Sequence, residues 1–250
     1  MKWLEFIWSR YLDYSGLLSM RFGILVFPGT WSDKDCYYQV KDILGQNADY
    51  VWHDETSLDG FDSVILPGGF SYGDYLRPGA MARFSPVMEA LNKFVTTGRA
   101  AIGICNGFQI LCESGLLPGA LLPNKDLEYR CQRTYLRTER SDTLFTTVCS
   151  QGQLLNVPVS HGEGNYFADG ETLIKLEEEG RVIFRYSDAS GKATPESNPN
   201  GSANNIAGII NESGNVLGMM PHPERSCEMI LGSTDGNLIF ESIIESCRRS

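Results

Sequence analysis

The chain has 250 residues, of which 42% are hydrophobic, and its formal net charge is −10. A chain of this length and composition can bury one sizeable core, so we expect one main domain. The negative charge argues against a nucleic acid or a membrane surface as partner, because either polyanion would repel it, and leaves a small molecule or another protein.

The first nineteen residues differ in character from the rest of the chain. Apolar and aromatic side chains dominate them, but Glu5, Arg10 and Asp13 interrupt the run. The segment therefore lacks the ~20 uncharged residues of a membrane span and the continuous apolar core of a signal peptide. We expect residues 1–19 to be a dispensable extension and residues 20–250 to form the functional domain, with Met20 as the natural start.

Strand and helix signals alternate along the first part of that domain. Short apolar runs predict strands at Phe22–Phe27, Ala48–Trp52, Ser63–Leu66 and Ala100–Ile104. Helical patterns lie between them, at Asp35–Leu44 and Ser85–Thr97. The alternation predicts an α/β fold with a doubly wound, mostly parallel sheet, in which ligands bind at the carboxyl ends of the strands.

A glycine-rich loop, Pro67-Gly-Gly69, follows the third of these strands. It lacks the spacing of a dinucleotide-binding loop and the lysine of a P-loop. Because the loop leaves a strand at its carboxyl end, its free N–H groups can stabilise a negatively charged oxygen together with the N–H of Asn106. We therefore expect an oxyanion hole at this edge of the sheet.

The segment from Arg99 to Cys112 predicts a strand, a sharp turn and a helix, with Cys105 in the turn, an arrangement called an elbow below. Gly103 and Gly107 lie two residues to either side, and such a turn needs small neighbours. The helix N-terminus favours a thiolate, so Cys105 is a candidate nucleophile. A buried structural cysteine in a glycine-rich turn is the alternative interpretation.

A cysteine nucleophile needs a base, and the chain has three histidines. Prolines flank His222 and favour an extended backbone, so Glu224, two residues later, projects to the same side. Alone, this pair equally fits an exposed ion pair in a proline-rich turn, but with Cys105 it suggests a catalytic triad. His161 is the rival base, followed by Glu163 at the same spacing but surrounded by flexible glycines. His53 is expected at the surface.

The seven cysteines contain no C-x-x-C pair, so neither a disulfide framework nor a zinc site is predicted. A reduced thiol nucleophile fits a cytoplasmic protein.

Beyond the elbow helix the sequence predicts antiparallel strands. Cys131–Thr138 alternates like a strand, and two strand pairs are predicted, Leu173–Leu176 with Arg181–Tyr186 and Ile206–Ile210 with Val216–Met220. Residues 187–205, rich in Ser, Gly, Pro and Asn, are predicted to form a mobile loop. Asn237–Cys247 predicts a closing amphipathic helix.

Several segments together carry a family resemblance. Gly-Ile-Cys105-Asn-Gly-Phe-Gln109 with His222-Pro-Glu224 resembles the class I (triad) glutamine amidotransferases. The resemblance narrows to the glutaminase subunits that serve formylglycinamidine ribonucleotide synthesis, through the segments Leu66–Asp74, Ser160–Tyr166, Asn198–Ser202 and Met219–Arg225. It extends from about Arg21 to the C-terminus.

This resemblance implies a flavodoxin-like sheet with added antiparallel strands, and hydrolysis of glutamine to glutamate and ammonia. Cys105 is then the nucleophile, His222 the general base and Glu224 its orienting group. The oxyanion hole is assigned to the N–H groups of Gly69 and Asn106, and glutamine binding to Gln109, Ser160 and His161.

The resemblance also implies a partner. Ammonia passes to a separate, larger synthetase subunit, which would hold ATP and magnesium, so no cofactor or metal is expected in this chain; whether a small third subunit joins the complex is open. One segment departs from the family pattern, Thr30-Trp31-Ser32, near the expected ligand-binding edge. Two alternatives stay open: a cysteine hydrolase on the same fold, acting on γ-glutamyl compounds or peptides, and a binding module whose triad is unused.

Overall fold

The computed structural model describes residues 19–249 of the chain. Its strands are β1 (Arg21–Val26), β2 (Asn47–Trp52), β3 (Ser63–Leu66), β4 (Ala100–Ile104), β5 (Ala120–Leu122), β6 (Arg130–Thr138), β7 (Leu154–His161), β8 (Asn165–Phe167), β9 (Val182–Ser187), β10 (Ile206–Ile210) and β11 (Val216–Met219). Its α-helices are α1 (Asp33–Tyr38), α2 (Pro86–Thr96), α3 (Asn106–Glu113), α4 (Gly170–Glu178) and α5 (Asn237–Arg249). The predicted extension falls almost wholly outside the described residues.

Nine strands form one sheet in the order β2-β1-β3-β4-β11-β10-β9-β6-β7. The strands from β2 to β11 pair in parallel, whereas β10, β9, β6 and β7 are added to them in antiparallel pairs. A separate antiparallel pair joins β5 to β8. The predicted fold class, a doubly wound parallel sheet with added antiparallel strands, is confirmed.

The core lies on both faces of the central strands. Every residue of β3, β4, β10 and β11 is buried, which is why these strands are continuous apolar runs rather than alternating ones. Helix α2 covers the sheet with one apolar face, including Val87, Leu91 and Phe94. Within residues 19–249, no helix has both the length and the apolar character that crossing a bilayer requires.

The predicted hairpin at residues 173–186 is wrong, because its first half is helix α4. The side chain of Asp169 accepts a hydrogen bond from the N–H of Thr172 at 2.8 Å, which caps the first turn. Leu173 and Leu176 are three residues apart, a helical spacing as well as a strand-like one. Strand β9 then pairs with β10 and β6 instead.

The 187–205 segment was predicted to be mobile from its composition, and this prediction is wrong. Its asparagine side chains close turns: Asn198 Oδ1 accepts from the N–H of Gly201 at 2.9 Å, and Asn205 Nδ2 donates to the carbonyl of Thr194 at 2.7 Å. Asn200 and Ser202 are buried. The polar residues here satisfy the backbone instead of solvating it.

Candidate active site

Cys105 lies on the sharp turn that joins β4 to α3. Its backbone adopts φ 51° and ψ −106°, in a region that residues other than glycine rarely enter. A Cβ at Gly107 would overlap the carbonyl oxygen of Leu66, and one at Gly103 would lie 2.7 Å from the backbone of Gly107. The predicted elbow is confirmed, and positive φ at a non-glycine residue costs of order 1–3 kcal/mol.

His222 reaches the same edge of the sheet from the neighbouring strand. Strand β11 pairs in parallel with β4, and the N–H of Cys105 donates to the carbonyl of Met219 at 2.8 Å. A Cβ added at Gly68 would lie 2.8 Å from Cε1 of His222 and 3.3 Å from Cβ of Cys105. Both catalytic candidates therefore pack against one glycine, and no side chain fits between them without displacing one.

His222 and Glu224 form a buried pair. Nδ1 of His222 lies 2.6 Å from Oε1 of Glu224, and each residue is 2% exposed. Against a carboxylate, Nδ1 is the donor, which leaves Nε2 for proton transfer; Nε2 has no hydrogen-bond partner within the described part of the chain. The predicted contact between Glu224 and the imidazole is confirmed.

The charges around His222 decide its protonation. Burial acts to lower the pKa of His222, but the negative charges of Glu224 and of a Cys105 thiolate outweigh burial and raise the pKa to about 10. The protonated imidazole and the thiolate thus stabilise each other, as in other cysteine–histidine pairs.

A cavity of about 290 Å³ collects most of the predicted site residues. Those lining it are Gly69, Cys105, Gln109, Ser160, His161 and His222. The other two lie just behind the wall: Asn106 begins α3, next to Cys105, and Glu224 lies behind His222. A cavity of this size fits a ligand as small as an amino acid.

His161 lines this cavity but lacks the surroundings of a base. Its Nε2 lies 3.0 Å from Nδ2 of Asn200 rather than near a carboxylate. Burial, and then the charge of His222, lower the pKa of His161 to about 3. The ring is therefore neutral at neutral pH, and the geometry favours His222 as the base.

His53 lies outside the cavity lining and is half-buried. Its Nδ1 lies 3.0 Å from the hydroxyl of Tyr72. The expectation of a surface histidine without partners is therefore wrong.

The side-chain amide of Gln109 is already engaged with protein groups. Its Nε2 donates to the carbonyl of Glu163 at 2.7 Å, and its Oε1 accepts from Nδ2 of Asn106 at 2.9 Å. Oδ1 of Asn106 in turn accepts from the N–H of Ser71 at 3.1 Å. These bonds tie the loops on either side of the cavity to α3.

Two cavity residues were missed by sequence reasoning as site residues. Asp74 has a positive φ of 55°, and its Oδ1 is buried without a partner in the described structure. Burial, and then the charge of Glu163, raise the pKa of Asp74 to about 6. This acidic side of the cavity suits a cationic group such as an ammonium.

Arg225 is the second missed residue. Its guanidinium donates to Oγ of Ser32 at 2.8 Å and to Oδ2 of Asp35 at 3.2 Å, which anchors the segment that departs from the family pattern. Trp31 in that segment lines the cavity mouth and is 74% exposed, so the departure lies at the rim and not at the reacting groups.

Comparison with known proteins points in the same direction. The family described as CobB/CobQ-like glutamine amidotransferase domain matches residues 19–237. The chain is 55% identical over 226 residues to phosphoribosylformylglycinamidine synthase subunit PurQ of Moorella thermoacetica, covering 90% of this chain and 96% of that protein. It is 53% identical over 227 residues to the PurQ subunit of Salinibacter ruber, covering 91% and 97%.

Solved structures are similar in the same way. A chain in the structure of PurLQS from Thermotoga maritima is 40% identical, with a TM-score of 0.81, covering 91% of this chain and 99% of that chain. A putative GMP synthase protein of Thermoplasma acidophilum, 16% identical with a TM-score of 0.57, covers 93% and 96% and shares the fold.

Proposed function

Since the chain belongs to the CobB/CobQ-like glutamine amidotransferase family, and within it to the PurQ subunits, we propose that it hydrolyses glutamine to supply ammonia for phosphoribosylformylglycinamidine synthesis in purine biosynthesis. The observation that supports this most is the strained Cys105 beside the buried His222–Glu224 pair at one small cavity. The alternative hydrolase activities need room for a polymer, which a cavity of about 290 Å³ does not favour.

In the proposed first step the Cys105 thiolate attacks the side-chain amide carbon of glutamine. The oxyanion that forms would accept hydrogen bonds from the N–H groups of Asn106 and Gly69. The carbonyl of Gly68 accepts from the N–H groups of Trp31 and Ser32 at 3.0 Å each. Because that peptide bond is trans, the N–H of Gly69 points the opposite way, which supports Gly69 as the oxyanion donor.

His222 then moves the protons. The imidazolium gives its Nε2 proton to the departing ammonia, leaving a γ-glutamyl thioester on Cys105. The neutral imidazole activates the water that hydrolyses this thioester, and glutamate leaves. Glu224 holds the Nδ1 proton throughout, which keeps Nε2 directed at the reacting atoms.

The proposed partner is the synthetase subunit, which would hold the ATP and magnesium that the amidine-forming reaction uses; a small third subunit stays an open part of this proposal. Exposed aromatic side chains at the cavity mouth support a docking protein: Trp31, Phe70 and Tyr129 are 74%, 49% and 54% exposed. A partner that covers them would shield ammonia from solvent. The seven free cysteines suit the reducing cytoplasm that is proposed for this complex.

The test compares two nitrogen sources in the assembled complex. Cys105→Ala should abolish amidine formation from glutamine but leave formation from added ammonia intact, because only the nucleophile is lost. Cys112→Ala, on the same helix but outside the cavity lining, is the matched control and should retain both activities. Glutamine-dependent activity in the Cys105→Ala complex would contradict the proposal.

The partner is tested separately by measuring glutamate release with and without the synthetase and its nucleotide substrates. We expect a large increase on addition, since docking would complete the exposed mouth of the cavity. Equal rates in both conditions would contradict this coupling and favour an independent hydrolase.

A further inference from the structure

Asn200 and His161 make a contact that the proposed mechanism does not use. His161 ends β7, and Asn200 lies 39 residues later in the 187–205 segment. Nδ2 of Asn200 lies 3.0 Å from Nε2 of His161, and the residues are 1% and 3% exposed. The contact is shielded from solvent, so its direction determines which ring nitrogen of His161 is protonated.

The orientation of the Asn200 amide is fixed by Ser202. The backbone N–H of Ser202 donates to Oδ1 of Asn200 at 3.1 Å, and the Ser202 hydroxyl donates to the same oxygen at 2.7 Å. Since a backbone N–H cannot accept, the atom facing Ser202 is the amide oxygen. The amide nitrogen therefore faces His161 and also donates to the hydroxyl of Tyr186 at 3.2 Å.

The direction of the contact follows. Nδ2 of Asn200 donates, so Nε2 of His161 accepts and carries no proton. In a neutral imidazole the single proton then sits on Nδ1. The low pKa of His161 excludes a second proton near neutral pH.

The Nδ1–H group of His161 is left without an acceptor among residues 19–249, although it is buried. The ring nevertheless lines the cavity with Cys105 and His222. The backbone around it is held in place, because Asn124 donates to the His161 carbonyl at 2.8 Å and accepts from the N–H of Gly164 at 3.0 Å. A buried donor with a fixed position and no protein acceptor is suited to a ligand oxygen.

We propose that Asn200 is a positioning residue, which fixes His161 as the Nδ1–H tautomer so that the ring donates a hydrogen bond to an oxygen of the bound substrate. That the substrate is glutamine rests on the proposed function. A neutral donor binds an oxygen without adding a second positive charge beside the His222 imidazolium. It also leaves the acidic side of the cavity, at Asp74 and Glu163, for the substrate ammonium.

The tautomer can be measured directly, because the chain has only three histidines to assign. Long-range ¹H–¹⁵N spectra of the full-length labelled protein, assigned with His53→Gln and His161→Gln variants, distinguish protonated from unprotonated ring nitrogens. We expect protonated Nδ1 and unprotonated Nε2 at His161. Protonated Nε2 in the unmodified protein would overturn the proposal, whether or not any variant folds.

Kinetics of the synthetase complex test the consequence for substrate binding. Asn200→Ala should shift His161 towards the Nε2–H tautomer and raise the glutamine KM about 3- to 10-fold, the range for one lost hydrogen bond, with kcat within about twofold. Tyr186→Phe removes the other acceptor of the same amide group and should leave both tautomer and KM unchanged. An unchanged tautomer or KM in Asn200→Ala would overturn the proposal.

The two proposals fail in distinguishable ways. If the unmodified complex released no glutamate from glutamine, the proposed function would be wrong, while the tautomer spectra would still decide whether Asn200 fixes His161. If glutamine is hydrolysed but Asn200→Ala behaves like the unmodified protein, only the positioning role is wrong.

Discussion

Gly68→Ala tests whether one glycine sets the distance between the nucleophile and the base. The new methyl group would lie 2.8 Å from Cε1 of His222, 3.2 Å from Oγ of Ser32 and 3.3 Å from Cβ of Cys105. Carbon atoms in contact normally lie about 3.5–4.0 Å apart. The His222 ring must therefore move away by roughly 1 Å, and it is buried with its Nδ1 bound to Glu224.

A displacement of this size has a known order of cost in catalysis. A misplacement of about 1 Å can reduce the rate about 10²-fold, equivalent to about 2.7 kcal/mol of transition-state stabilisation. Overpacking a buried position costs typically about 1–3 kcal/mol of stability. We expect a folded Gly68→Ala protein whose kcat for glutamine falls about 10²-fold and whose ammonia-dependent activity in the complex is unchanged.

The assay is glutamate release by the synthetase complex, with thermal unfolding of the isolated chain measured in parallel. Gly170→Ala is the matched control, because nothing lies within 4 Å of an added Cβ there. It should keep the full rate. A Gly68→Ala complex with kcat within about twofold of the unmodified value would refute the reasoning, since the ring would then not depend on the space at Gly68.

Three further predictions follow from the same geometry. His222→Asn should lower kcat about 10²- to 10⁴-fold, whereas His161→Asn should mainly raise the glutamine KM; steady-state kinetics showing the reverse would mean that the histidine roles are exchanged. The pKa of His222 is raised to about 10 in the fold, so its stabilising contribution is complete below the unfolded pKa of about 6.5 and is lost as pH rises through 10. Urea unfolding should therefore show a destabilisation by His222→Gln that shrinks between pH 7 and 10, and a constant difference would contradict it. A diazo-ketone glutamine analogue should label Cys105 and not the exposed Cys131, as peptide mass mapping can establish; preferential labelling of Cys131 would count against the elbow.

The parts of the site that the sequence predicted are those in which local geometry determines chemistry. The elbow follows from Gly103 and Gly107 around Cys105, because a tight turn restricts the residue types that fit. The Glu224 contact follows from a spacing of two in a proline-restricted segment. Strands β3, β4, β10 and β11 were predicted with bounds within one residue, because buried parallel strands are continuous apolar runs.

What could not be predicted depends on contacts between distant segments. Asn200 meets His161 across 39 residues, and nothing near either residue signals the contact. The composition of the 187–205 segment is the same whether its asparagines face solvent or close turns, so mobility was inferred where Asn198 and Asn205 hold the backbone. Helix α4 was missed because its leucine spacing fits a strand also, and the capping role of Asp169 was not used.

The backbone at Cys105 has a consequence for how the chain tolerates change. With φ at 51°, a glycine would fit this position better than any other residue, and replacing cysteine there would relieve strain while removing the thiol. Stability and activity therefore make opposite demands on one residue. A copy of the chain released from its role would be expected to lose the thiol early without unfolding, and a mutational screen for thermal stability alone would enrich inactive proteins at this position.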